Sequence, residues 1–236
     1  MLQTSRLGLE LRDEPGFTSG FVIEEVSRAA VDETWETVWG ESRQVRNNYR
    51  ELAVTLRQAE PVERRVIVRF RVFDDGLGFR CEFPQQENLT YFTVAEELTE
   101  FNLAVDHPAF WIPADFDNNE YHYSTTKLSE VDARRVQLSV DKSVFTQIPV
   151  PSNAVATPLM MKSAEGLYLC LHEAAQVDYP ALHLMIDQAA FGLRSLLVPN
   201  PLGNKACLQA PTQTPDARSL SAIEPPKSSP RKSSST

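Results

Sequence analysis

The feature that most limits how this chain can fold is a repeated two-residue alternation, cut at short intervals by turn residues. Val66, Val68, Phe70 and Val72 alternate with Ile67, Arg69, Arg71 and Phe73, and after Asp74-Asp75-Gly76-Leu77-Gly78 the residues Phe79, Cys81 and Phe83 alternate with Arg80 and Glu82. Asp-Gly between two such runs is a strong hairpin signal, so one face is expected in the core and the other, with Arg69, Arg71, Arg80 and Glu82, in water. Further strands are expected at Gly20 to Ser27, Tyr49 to Arg57, Leu98 to Val105, Arg135 to Val140, Gly166 to Ala174 and Ala181 to Asp187. No long helical period occurs among them. Many short strands with turns between them predict one large all-β domain, an antiparallel β-sandwich, over residues 1–215.

The segment 216–236 differs in kind. It is rich in Ser, Pro and basic residues and has no aromatics, so it cannot bury enough apolar surface to offset the entropy of ordering. A disordered tail is expected there. The formal charge of −9 argues against a nucleic-acid or anionic-membrane surface, either of which calls for a basic patch, and no stretch is long and apolar enough to cross a bilayer. Cys81, Cys170 and Cys207 show no CxxC spacing, and the first two sit among strand apolars as small buried hydrophobes. The N-terminus lacks the basic-then-apolar pattern of a secretory signal.

Gly166-Leu167-Tyr168-Leu169-Cys170-Leu171-His172-Glu173-Ala174-Ala175 reads as a buried strand that brings a carboxylate to the end of its apolar side. Leu167, Leu169, Leu171 and Glu173 share one face. Either the sheet ends near Ala174 and Glu173 points into water, or the acid meets a cation or metal, lies at a wet rim, or takes up a proton. The loop Asp106 to Tyr123 concentrates aromatics, carboxylates and amides, a mixture that suits the C–H faces and hydroxyls of a sugar and equally suits a loop pinned by its own aromatics. Trp35 and Trp39 fall on one extended segment, where core packing is the default. His107, His122, His172 and His183 stand apart from one another, and no nucleophile motif, phosphate loop or zinc spacing is present.

In order, Ser5-Arg6-Leu7-Gly8-Leu9-Glu10-Leu11, Val38-Trp39-Gly40-Glu41, Arg46-Asn47-Asn48-Tyr49-Arg50-Glu51-Leu52, Gly76-Leu77-Gly78-Phe79-Arg80, Ala156-Thr157-Pro158-Leu159-Met160-Met161 and the Gly166 to Ala175 segment with Val177-Asp178-Tyr179-Pro180 resemble the N-terminal domain of glycoside hydrolase family 97. The resemblance implies a galactose-mutarotase-like β-sandwich packed, in the full enzymes, against a (β/α)8 catalytic barrel that hydrolyses terminal α-glucosides or α-galactosides. It also implies a calcium ion in the active site, to which the N-terminal domain lends one carboxylate, here Glu173. The acid and the base or nucleophile would come from the barrel. Such enzymes are typically periplasmic or secreted.

After Gln213-Thr214-Pro215 the family's path into the barrel is replaced by the Ser/Pro tail, and the front is short as well. The expectation is a truncated or frame-shifted product or a stand-alone remnant, inactive by itself, with carbohydrate and the family 97 barrel as partners. The alternative is a binding module that pairs with a separately encoded barrel. A mutarotase-like epimerase would need a paired acid and base in the cleft, and no His/Glu pair here is supported beyond adjacency.

Overall fold

The computed structural model describes residues 2–138, 150–215 and 219–223. They form β1 (Leu9–Leu11), β2 (Phe21–Glu36), β3 (Gln44–Gln58), β4 (Arg64–Val72), β5 (Gly76–Phe83), β6 (Tyr91–Glu97), β7 (Glu100–Asn102), β8 (Pro108–Trp111), β9 (Ser124–Lys127) and the short helix α1 (Ala133–Gln137). After these come β10 (Ala154–Ala156), β11 (Leu159–Lys162), β12 (Tyr168–His172), β13 (Leu182–Asp187), β14 (Gly192–Leu197), β15 (Ala206–Gln209), β16 (Thr212–Gln213) and β17 (Ser219–Ile223). All described strand pairings are antiparallel.

The all-β expectation holds, but the expected β-sandwich is corrected. The strands divide among three sheets, not two facing ones: ten strands in the order β2-β3-β4-β5-β17-β12-β11-β8-β9 with β16 also on β5, four as β10-β13-β14-β7, and three as β1-β6-β15. The cause is visible where β6 ends at Glu97 and β7 begins at Glu100, because the chain changes sheet within that step. Leu98 N–H donates to Gly8 O (2.9 Å) and Ser195 N–H to Thr99 O (2.9 Å), tying the crossing to both smaller sheets. The single strand expected from Leu98 to Val105 is therefore reduced to β7. Alternation reports which face of a strand is buried, not which sheet the strand joins.

One core serves all three sheets. Val66, Phe83, Leu169 and Leu171 enter it from the large sheet, Phe92 and Val94 from the three-stranded sheet, and Phe101, Leu184 and Leu193 from the four-stranded one. Phe83 stands at its centre, with ring centroids 5.4 Å from Phe17 and 5.1 Å from Phe92.

The β4–β5 hairpin forms as expected, with Val72 opposite Leu77 and with Val66 and Val68 buried. Its charged face differs from the expected solvated surface. Arg69 donates to both oxygens of Glu82 (2.6 and 2.8 Å) and to Glu51; Arg71 reaches Glu51 (3.0 Å) and Arg80 reaches Glu82 (2.7 Å). All five side chains are less than a third exposed.

Two other expectations are corrected. Ala133–Gln137, at the start of the strand expected from Arg135, is one turn of helix whose first turn is capped by the Asp132 carboxylate accepting from Arg135 N–H (3.1 Å); residues 139 and 140 lie outside the described residues. Ser219–Ile223, expected in a disordered tail, is a strand between β5 and β12. Main-chain pairing in a gap of the sheet needs no apolar composition. The rest of 216–236 lies outside the described residues.

Candidate functional site

Gly166, at φ 89°, turns the chain into β12, where Leu169 and Leu171 are buried. The strand ends at His172, so Glu173 is the first residue of a loop, 173–181, that leaves the ten-stranded sheet for β13 in the four-stranded one. The acid does not swing into water. Glu173 is half-buried and its Oε2 accepts Leu182 N–H at 2.7 Å. Burial pushes its pKa up to about 7, with the Leu182 N–H pulling the other way.

The loop is fixed at its far end. Tyr179 is buried and donates its hydroxyl to Glu97 Oε2 (2.9 Å), while Thr99 Oγ1 donates to Glu97 Oε1. Burial comes first among the causes that push the Tyr179 hydroxyl well above its ordinary pKa. Gln176 Nε2 donates to Tyr179 O (3.3 Å) and Thr157 Oγ1 to Leu182 O (2.8 Å). Ala175 and Asp178 both hold a φ of 52°, a conformation that non-glycine residues adopt at some cost and that the anchored ends enforce.

Sequence reasoning missed Glu97. Phe92 and Val94 alternate inward, which assigns the inward position to Glu96. The register between β1 and β6 runs Leu11 to Val94 and then Glu10 to Glu96, so Ala95 is skipped and Glu97 turns into the core instead.

Ala174, the residue after Glu173, borders the Arg/Glu face of the large sheet. A cavity of about 200 Å³ is lined by Arg69, Arg71, Phe73, Arg80 and Ala174, and an open cleft of about 630 Å³ lies between Glu82, Pro84, Val177, Asp178 and Thr212. Burial works to raise the pKa of Glu51 and Glu82, but the arginine hydrogen bonds outweigh it and hold both carboxyls below their ordinary value.

The other sequence candidates go elsewhere. In the 106–123 loop Trp111 is buried, with Nε1 donating to Thr126 Oγ1 (3.0 Å), and Tyr121 donates its hydroxyl to buried Asp115 (2.6 Å). Phe116 stacks on buried His183, with centroids 5.9 Å apart. Those groups pin the loop and do not line a sugar platform. His107 faces Lys162 O (3.2 Å), His172 faces Glu173 O (3.1 Å), and His122 is exposed. Trp35 and Trp39, expected in a core, are 51% and 90% exposed.

No group of three or more His, Cys, Asp or Glu able to hold a metal occurs among the described residues. Calcium takes roughly six to eight oxygens and a carboxylate supplies at most two, so Glu173 does not make such a site alone. A half-desolvated carboxylate is nevertheless a suitable donor for a hard cation that other oxygens complete.

The structure is thus an all-β domain with a half-buried carboxylate, Glu173, on a loop held by Leu182 N–H and Tyr179. The glycosyl-hydrolase 97 N-terminal family matches residues 1–216, and the chain belongs to it. A glycoside hydrolase family 97 enzyme from Pseudoalteromonas sp. strain K8, solved in complex with acarbose, superposes with a TM-score of 0.80 at 30% identity over 94% of this chain and 31% of that one. A retaining alpha-galactosidase of Bacteroides thetaiotaomicron is 25% identical over 186 residues, 74% of this chain and 24% of that protein. A beta-arabinopyranosidase shares the fold, with a TM-score of 0.73 at 18% identity. The chain spans about a quarter to a third of the length of these relatives. These 236 residues hold the N-terminal domain and not the catalytic barrel that hydrolysis requires.

Proposed function

We propose that this chain serves as the non-catalytic N-terminal domain of a calcium-dependent family 97 α-glycosidase, and that Glu173 is its contribution to a calcium ion shared with the catalytic barrel. The observation that carries this reading is the carboxylate itself. Folding takes Glu173 partly out of water and burial raises its pKa to about 7, so its charged form is costly there and a cation beside it would favour that form. In the bound state the calcium would supply positive charge next to the substrate, and Glu173 would hold it at the domain boundary. The loop's attachment to Glu97 fixes where that carboxylate stands. Carbohydrate is the substrate class, met together with the barrel.

The test is an assay with aryl α-glucoside and α-galactoside substrates in calcium. The purified chain alone is expected to give no turnover, and a co-produced family 97 catalytic domain to be activated by it. Glu173→Gln should lower that activation at least 10-fold. Turnover by the chain alone that Glu173→Gln abolishes, or activation that Glu173→Gln leaves intact, contradicts the reading.

A further inference from the structure

On the charged face of the large sheet one guanidinium is held in place without being satisfied. The registers set Glu51 opposite Arg71 and Arg71 opposite Gly78, with Arg69 opposite Arg80 in the next row. Arg69 commits its Nε and both Nη groups to Glu51 and Glu82. Arg71 uses only Nε, which donates to Glu51 (3.0 Å), and its Nη1 and Nη2 make no hydrogen bond among the described residues. Its guanidinium carbon lies 4.7 Å over the centroid of the buried Tyr49 ring, which packs on Phe73 at 5.3 Å. A ring beneath and a carboxylate at Nε fix the plane of that guanidinium, so its Nη edge is a pre-organised fork.

Gly78 leaves room in front of it. The cavity of about 200 Å³ lined by Arg69, Arg71, Phe73, Gly78, Arg80 and Ala174 includes the position across from Arg71, where no side chain stands. Glycine weakens a strand interior, and such a position often marks where a ligand approaches the backbone closely. The charge balance agrees. Three guanidiniums, of Arg69, Arg71 and Arg80, face two carboxylates, of Glu51 and Glu82, so one positive charge is left over. Burial opposes the charge on both acids, but the arginine hydrogen bonds outweigh it, and both are ionised at neutral pH. These side chains are less than a third exposed, so water and salt screen the excess charge only in part.

We propose that this cavity binds a monocarboxylate carried on a compact ring, with the carboxylate on Nη1 and Nη2 of Arg71 and the ring against Phe73, Gly78 and Ala174. Arginine's planar pair of donors matches the two oxygens of a carboxylate. The volume of about 200 Å³ exceeds the ~150 Å³ that admits a benzene molecule, so one six-membered ring fits. A dianion such as a phosphate monoester is disfavoured, because a single positive charge is left over and no lysine lines the cavity. The carboxylate comes on an acidic sugar or on a free aromatic acid, which share this chemistry and differ in the rest of the ring. Nothing in the site uses the Glu173 carboxylate or a second domain.

The experiment titrates the full, isotope-labelled chain with glucuronate, benzoate, glucose and inorganic phosphate and follows it by NMR. Glucuronate or benzoate should shift the Gly78 amide and the Arg71 Nε–H saturably, with one site per chain, and glucose should leave both in place. Arg71→Lys keeps the charge and loses the fork, whereas Gly78→Val keeps all three arginines and fills the cavity. Each should weaken binding by about 10-fold or more, with a thermal melt showing that the variant folds. Ala174→Leu fills the same cavity from the loop and replaces Gly78→Val if that variant does not fold. Tighter binding of glucuronate than of benzoate assigns the carboxylate to an acidic sugar, and the reverse order assigns it to an aromatic acid. The site is overturned if neither acid binds, if glucose or phosphate binds as tightly as the acids, or if a folded variant of either kind binds as tightly as wild type.

Discussion

Glu173→Gln isolates what one carboxylate does to this fold. Its folded pKa of about 7 lies above the ordinary value of 4.5, so between those pH values the native state holds a proton that the unfolded chain has released. Glu173 therefore costs nothing below about pH 4.5, costs increasingly as pH rises toward 7, and costs a constant amount above that. Gln can still accept the Leu182 N–H through its amide oxygen. In EDTA at pH 8 the variant should be more stable than wild type by about 1–2 kcal/mol, and chemical denaturation should show the difference vanish near pH 4.5. A variant less stable than wild type at pH 8 would show that the charged form is structurally useful to the lone domain. The sequence brought Glu173 forward because three leucines precede it on one face, but it left its burial open. That burial depends on Leu182, nine residues on and in another sheet.

At the scale of the element, the 173–181 loop is held by a contact that no local pattern discloses. Tyr179 reaches Glu97 across 82 residues of sequence, and Glu97 faces inward only because the β1–β6 register skips a residue. Tyr179→Phe removes one donor from a buried carboxylate, which should cost about 1–3 kcal/mol in urea unfolding. If the anchor positions the loop, amide exchange at Leu182 should also accelerate more than exchange in β4 and β5. Equal acceleration everywhere would reduce Tyr179 to a contributor to global stability. The contrast with the β4–β5 hairpin is instructive, since there alternation and an Asp-Gly turn identify the element without help from any distant residue. Even so, alternation could not tell that its charged face is a joined network, because Glu51 arrives from β3.

For the whole molecule, alternation and turn spacing carried the all-β class and family resemblance the identity of the domain, while the sheet count had to come from the structure. The step from Glu97 to Glu100 divides what would be one smaller sheet into two, and neither residue type nor period marks it. The resulting molecule has a shared core and an anchored acid where the chain leaves the ten-stranded sheet for the four-stranded one. The account makes that acid part of a calcium site shared with a catalytic domain. Isothermal calorimetry of calcium binding to the complex of this chain with a family 97 catalytic domain tests that most directly. It should detect one calcium per complex, with affinity lowered at least 10-fold by Glu173→Gln while the 1:1 complex persists. Calcium binding that is unchanged in the Glu173→Gln complex would contradict the account.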